Sequence, residues 1–266
     1  MKRIISITAT VIGLCFASAA SAQTTPSYLV PDPQTAEWSY IKTDAKGKYL
    51  LTEYHSVAKL SGDSYNGNVK IRVKEVTASS PADTVESFIY YRFKDGEYMA
   101  DTQAFFADDL MGDIEEKARE QVLEIAKEKG TELSEDVKEE VIEKAVKEAM
   151  AVMESEFKAT GDIRGIPLYP KAGKLPGYEF KFKFSFFNIK VNGENRSIAG
   201  TEKIVTDAGT FDCFILEETI TTKIMLVKEV ETIRTWYAYG IGVVKEITYD
   251  KKGNVTSILT LNSINW

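Results

Sequence analysis

The sequence predicts an α+β, mainly β protein in which a helical hairpin interrupts an antiparallel meander, and three observations carry that expectation. Short runs rich in β-branched and aromatic residues recur along the chain, separated by Gly, Asn and Asp turn signals. Residues 179–186 alternate strictly, placing Phe180, Phe182, Phe184 and Phe186 on one face and Lys181 and Lys183 on the other. Across residues 108–158 the apolar spacing changes to that of a helix.

The chain opens with Lys2 and Arg3, an apolar stretch over residues 4–16, and Ala20-Ser21-Ala22, the pattern of a cleavable signal peptide over residues 1–22. The apolar run is shorter than the roughly 20 residues a membrane helix needs, so no transmembrane segment is expected after cleavage. Cys15 follows Ile12-Gly13-Leu14, a poor lipidation context, and is read as part of the discarded signal. These features predict an exported protein of the periplasm or cell envelope of a Gram-negative bacterium. Cys213 is then the one mature cysteine, which excludes an intramolecular disulfide; in its strand it reads as a buried small hydrophobe. Residues 23–37, with Pro26, Pro31 and Pro33, read as an extended leader, and residues 38–266 as one β-rich domain.

Strands are expected at residues 49–60, 68–76 and 87–93, with Asn66-Gly67 and Asp95-Gly96 at hairpin turns that need positive φ. One long strand follows at residues 178–191, where the apolar parity flips at Phe187 without Gly or Pro, as at a bulge or a layer change in a curved sheet. Residues 203–206 and 210–222 flank Ala208-Gly209. Residues 231–239, 243–249 and 255–264 complete the meander.

The helical insertion, residues 108–158, carries one stripe through Leu110, Ile114, Ala118 and Val122 and another through Ile142, Ala145, Ala149 and Phe157, with Ser134 as N-cap of the second helix. Its charge is lopsided. Residues 1–22 hold two of the 33 basic residues and none of the 40 acidic ones, leaving a net charge of −9, all of it between residues 108 and 158. A neutral body without a basic stripe argues against nucleic acid, and an acidic segment argues against anionic lipid.

Residues able to carry chemistry are sparse. His55 is the one histidine, excluding a multi-histidine zinc site, and its strand context predicts a half-exposed structural role. Adjacent carboxylates such as Glu217-Glu218 face opposite sides of a strand, a poor geometry for paired acid/base work. No phosphate loop, nucleophile elbow or metalloprotease motif occurs. Gly240-Ile241-Gly242 reads as a bend. No catalytic residue, metal or cofactor is expected, and a hydrolase is the third and least favoured reading.

Gly165-Ile-Pro-Leu-Tyr-Pro170, Thr206-Asp-Ala-Gly-Thr-Phe-Asp-Cys213 and Trp236-Tyr-Ala-Tyr-Gly-Ile-Gly-Val-Val-Lys245, with Tyr249 and Gly253, resemble the TapB-like family of exported bacterial domains of unknown function. The resemblance covers residues 160–264 and implies a curved antiparallel sheet, a half-barrel similar to periplasmic lipoprotein carriers, with a concave face that holds apolar material. The inserted helices and Asp207 depart from the family pattern. The expectation is a non-catalytic envelope binding module taking a lipid or other apolar ligand along Phe180, Phe182, Phe184, Phe186, Trp236 and Tyr239. The alternative is an interaction or assembly factor whose acidic helical hairpin docks on an envelope protein.

Overall fold

The computed structural model describes residues 37–62, 67–94, 97–102, 104, 139–144, 147, 157–167, 170–184 and 187–265. Among these, fourteen strands form one antiparallel sheet, and helix is confined to residues 102, 104, 139–144 and 147. The signal peptide, the leader up to residue 36, and the Asn66 and Asp95-Gly96 turns lie outside the described residues.

Strands β1 (Glu37–Thr43), β2 (Tyr49–Gly62), β3 (Gly67–Thr77), β4 (Ser80–Lys94) and β5 (Glu97–Ala100) form a meander. So do β9 (Tyr178–Phe184), β10 (Phe187–Thr206), β11 (Gly209–Ile224), β12 (Val227–Ala238), β13 (Gly242–Asp250) and β14 (Val255–Asn265). The last strand, β14, pairs with the first, β1, joining the two meanders side by side. Turn chemistry explains several connections. Asp44 Oδ1 accepts from the amides of Lys46 and Lys48 before Gly47 turns at φ 78°, and Asp250 Oδ1 does the same for Lys252 and Asn254.

The sheet ends are β6 (Phe157–Gly161) and β7 (Ile163–Pro167), two halves of one segment divided by Asp162. β6 pairs with β9 at one end of the sheet and β7 with β5 at the other, so the segment draws the edges together into a nearly closed barrel. This corrects the expected half-barrel: the 157–167 segment lacks a strong strand signal, yet it supplies the missing wall. Its glycines permit the closure. A Cβ on Gly161, which has φ 81°, would lie 1.9 Å from the Glu179 carbonyl oxygen, and one on Gly165 would lie 2.0 Å from that of Tyr98.

Two further expectations are corrected. Residues 178–191 are not one strand: β9 and β10 pair antiparallel with Phe184 opposite Phe187, so the parity flip falls between two strands. Residues 185 and 186 lie outside the described residues. The helical hairpin over 108–158 is not supported: residues 139–144 and 147 are helical, with Ile142 buried, but residues 157 and 158 belong to β6. The first apolar stripe, Leu110 to Val122, lies outside the described residues.

Candidate functional site in the barrel interior

Alternation along each strand sends one set of side chains inward. Much of it is ordinary core: Val69, Ile71 and Val73 of β3, Phe180 and Phe182 of β9, Ile189 and Val191 of β10, and Leu259 and Leu261 of β14 are all buried. Interspersed at inward parity are groups that no apolar core requires. Glu53 and His55 of β2, Glu218 of β11, Thr235 of β12, Glu246 of β13 and Arg196 of β10 are buried, beside Tyr40, Tyr91, Tyr98 and Tyr237.

These polar groups form three linked sets. His55 Nε2 and Glu53 Oε2 lie 3.0 Å apart, and the imidazole is held between the rings of Trp38 and Tyr40, with centroids at 5.5 and 4.9 Å. Thr235 Oγ1 donates to Glu246 Oε2 at 3.2 Å. Arg196 Nε donates to Glu218 Oε2 at 2.9 Å, while its terminal nitrogens donate to the carbonyls of Pro176 (2.9 Å), Arg164 (3.0 Å) and Gly165 (2.5 Å). Arg196 therefore bridges the closing segment β7 to β10 and β11, and it follows Asn195, whose φ of 54° belongs to a break in the β10–β11 register. The guanidinium fork suits this task because its five donors can serve several acceptors at once.

Electrostatics ties the sets together. Burial pushes the Glu246 carboxyl up to about 8, with Lys42 opposing and Glu53 and Glu218 reinforcing. Burial likewise raises Glu218 to about 7 despite the Arg196 charge. The Tyr40 and Tyr237 hydroxyls are pushed above the usual phenol range by burial, then by Glu53 for Tyr40 and by Glu246 and Glu218 for Tyr237. Tyr40 Oη donates to the Val243 carbonyl at 3.1 Å. Tyr237 Oη and Glu218 Oε1 are fully buried and make no hydrogen bond of good geometry. Among the described residues no group of His, Cys, Asp and Glu has the arrangement of a metal site.

The residues expected to bind ligand do not form one patch. Phe180 and Phe182 face inward, packed with Val191 and Ile189 as register partners. Trp236, one residue out of step with the inward-facing Thr235 and Tyr237, lies on the opposite face, where Nε1 donates to Glu202 Oε2 at 2.7 Å and Arg234 and Lys245 flank its ring. Tyr239 is partly exposed at the β12–β13 turn, against Phe214, whose ring stacks on Tyr237. Phe184 pairs with Phe187 at the β9–β10 turn, and Phe186 lies outside the described residues.

His55 is buried rather than half-exposed, because its strand lies between β1 and β3 with the imidazole on the inner face of the wall. Glu217 and Glu218 do face opposite ways: Glu217 meets Arg234 outside and Glu218 meets Arg196 inside. Cys213 is buried, and burial followed by the nearby Asp212 and Glu202 charges raises its thiol to about 12. Sequence reasoning missed Glu218, Glu246 and Arg196 as a unit. A carboxylate at inward parity, as in Leu216-Glu-Glu218-Thr-Ile220, was the available signal; the reach of Arg196 across the barrel had none.

The DUF3108-like family model matches residues 73–261. The fold is similar to the crystal structure of a candidate lipoprotein from Parabacteroides distasonis, at TM-score 0.57 and 18% identity, covering 92% of this chain and 100% of that one. It is also similar to a candidate exported protein with a YmcC-like fold from Bacteroides fragilis, at TM-score 0.55 and 15% identity, covering 89% and 98%. Comparison with curated proteins gives no match. The family found is DUF3108-like; the TapB-like name is not among these findings. Among the described residues no helix is long and apolar enough to cross a membrane.

Proposed function

The chain belongs to the DUF3108-like family, and from that premise we propose that it is a non-catalytic, exported cell-envelope module that holds an amphiphilic ligand inside its barrel. The names of the two structural neighbours, one a candidate lipoprotein and one a candidate exported protein, support the envelope location, as does the signal-peptide pattern of residues 1–22. The observation that carries the binding reading is the fully buried Tyr237 hydroxyl, which stands near Glu218 and Glu246 and has the Thr235 side chain as a polar neighbour, at a geometry short of a normal hydrogen bond. A buried polar atom left without a partner costs about 1–3 kcal/mol, and a ligand headgroup supplying that partner would recover it. The raised pKa keeps Glu246 largely protonated near neutral pH, so it can donate to a ligand oxygen without repelling it. Phe180, Phe182, Tyr91 and Tyr98 supply apolar wall for the ligand's chain. The reading assigns no reaction step, metal or cofactor.

Native mass spectrometry of protein purified gently from its envelope tests this reading, together with Tyr237→Phe. A mass excess that is lost on solvent extraction and reduced in Tyr237→Phe, with the melting temperature unchanged or raised, supports it. A bare protein mass, or a Tyr237→Phe variant that loses stability with no change in occupancy, overturns it.

A further inference from the structure

A second feature lies away from the interior, at the tip of the hairpin between β11 and β12. Ile224 pairs with Val227, so the turn consists of Met225 and Leu226 alone. Met225, Leu226 and Val227 are 48, 96 and 70% exposed. Two-residue hairpin loops with positive φ at the first central position favour Gly there. Met225 occupies it with φ 53°, a conformation that costs an L side chain energy. The tip is nonetheless held in place, since the Met225 amide donates to the Asn188 carbonyl at 3.0 Å. An apolar Met-Leu-Val tip serves neither turn formation nor solubility, and clustered exposed apolar residues mark contact surfaces.

Directly behind the tip the register assembles a row of lysines across four strands. Lys181 lies opposite Lys190, Lys190 opposite Lys223, and Lys223 opposite Lys228. Lys183, two residues from Lys181, and Lys158 of β6 pair at the edge of the same face. Like charges set opposite one another destabilise a sheet, so the row does not serve the fold. Glu179 bridges Lys181 and Lys190, and Glu229 points to the other face of β12 from Lys228. The outward side behind the tip therefore remains positive.

We propose that this hairpin is a docking finger for an anionic phospholipid surface: Met225, Leu226 and Val227 enter the lipid interface while Lys223 and Lys228 meet the headgroups. Apolar insertion combined with a basic flank is the pairing by which peripheral proteins bind anionic bilayers. The net charge of −9 is no obstacle, because a surface responds to charge within a Debye length of about 8 Å rather than to the molecule's total. Docking there would bring one end of the barrel to the membrane.

The test is co-sedimentation of the exported protein, purified from the periplasm of an expression host, with vesicles of phosphatidylcholine alone or with phosphatidylglycerol added. The expected result is binding that requires phosphatidylglycerol, weakens with salt, falls more than tenfold in Leu226→Asp, and falls about fivefold for each lysine neutralised in Lys223→Gln and Lys228→Gln. Leu226→Phe should retain binding. Because these side chains are exposed, each variant should melt with the parent. Absence of binding to phosphatidylglycerol vesicles overturns the proposal. So does salt-sensitive binding to vesicles or to an acidic protein that Leu226→Asp leaves unchanged, since the charge would then act without the finger.

Discussion

Replacing Arg196 tests most directly what closes the barrel. Arg196→Ala removes four hydrogen bonds, one to the Glu218 carboxylate and three to the carbonyls of Pro176, Arg164 and Gly165. It also strands Glu218 in the interior with neither oxygen satisfied, since Oε1 already lacks a partner. Breaking a buried ion pair by deleting one member costs about 3–5 kcal/mol. Protonation of Glu218 relieves part of this, because its pKa is already near 7 and should rise once the Arg196 charge is gone. The orphaned carbonyls restore part of the cost at about 1 kcal/mol each. The expected loss is thus about 4 kcal/mol in urea unfolding at neutral pH, and backbone amides of β5 and β7 should exchange with solvent faster than those of β11 to β13. Arg196→Met combined with Glu218→Leu should recover at least half of the loss, because it removes the buried charge with its partner. A loss below about 1 kcal/mol, or uniform exchange protection, would refute the role of Arg196 as the clamp on the closing segment.

Two further perturbations follow from the same interior. Glu246 and Glu218 have folded-state pKa values of about 8 and about 7, above the ordinary 4.5, so the unfolded chain releases their protons first as pH rises. Stability should therefore fall between about pH 4.5 and 8 and then level off, by an amount on the order of 3–5 kcal/mol for Glu246. Thermal melts across that range should show a flatter profile in Glu246→Gln than in the parent; parallel profiles would contradict the assignment. Gly165→Ala places a methyl 2.0 Å from the Tyr98 carbonyl oxygen, which has to move for the strand to fit. A cost of about 1–3 kcal/mol is expected in chemical unfolding, and an unchanged midpoint would show that β5 and β7 are less closely apposed than described.

Much of the sheet was legible in the sequence because a strand with one buried face writes its orientation into alternate residues. The strands beginning at Tyr49 and Val255 were found from their runs, and the alternation of Phe180 and Phe182 with Lys181 and Lys183 survives as an inside and an outside. The split of Glu217 from Glu218 needed only the two-residue period. The break between β9 and β10 was hidden because Phe184-Ser-Phe-Phe187 contains no Gly, Pro, Asn or Asp, so two strands read as one. Similarly, β1 gave little strand signal on its own, because its hydrogen bonds come from β14 and β2, far away in the chain.

What the sequence determined alone was the β class, the side of each strand that turns inward, and the buried state of Cys213, since each depends on local periodicity and residue chemistry. Closure of the barrel, the meeting of Arg196 with Glu218 and the carbonyls of the closing segment, and the alignment of Lys181, Lys190, Lys223 and Lys228 beside Leu226 were decided only by tertiary structure. They rest on which strands become neighbours and in what register. Strand pairing is cooperative over the whole sheet, so no single stretch of residues encodes it.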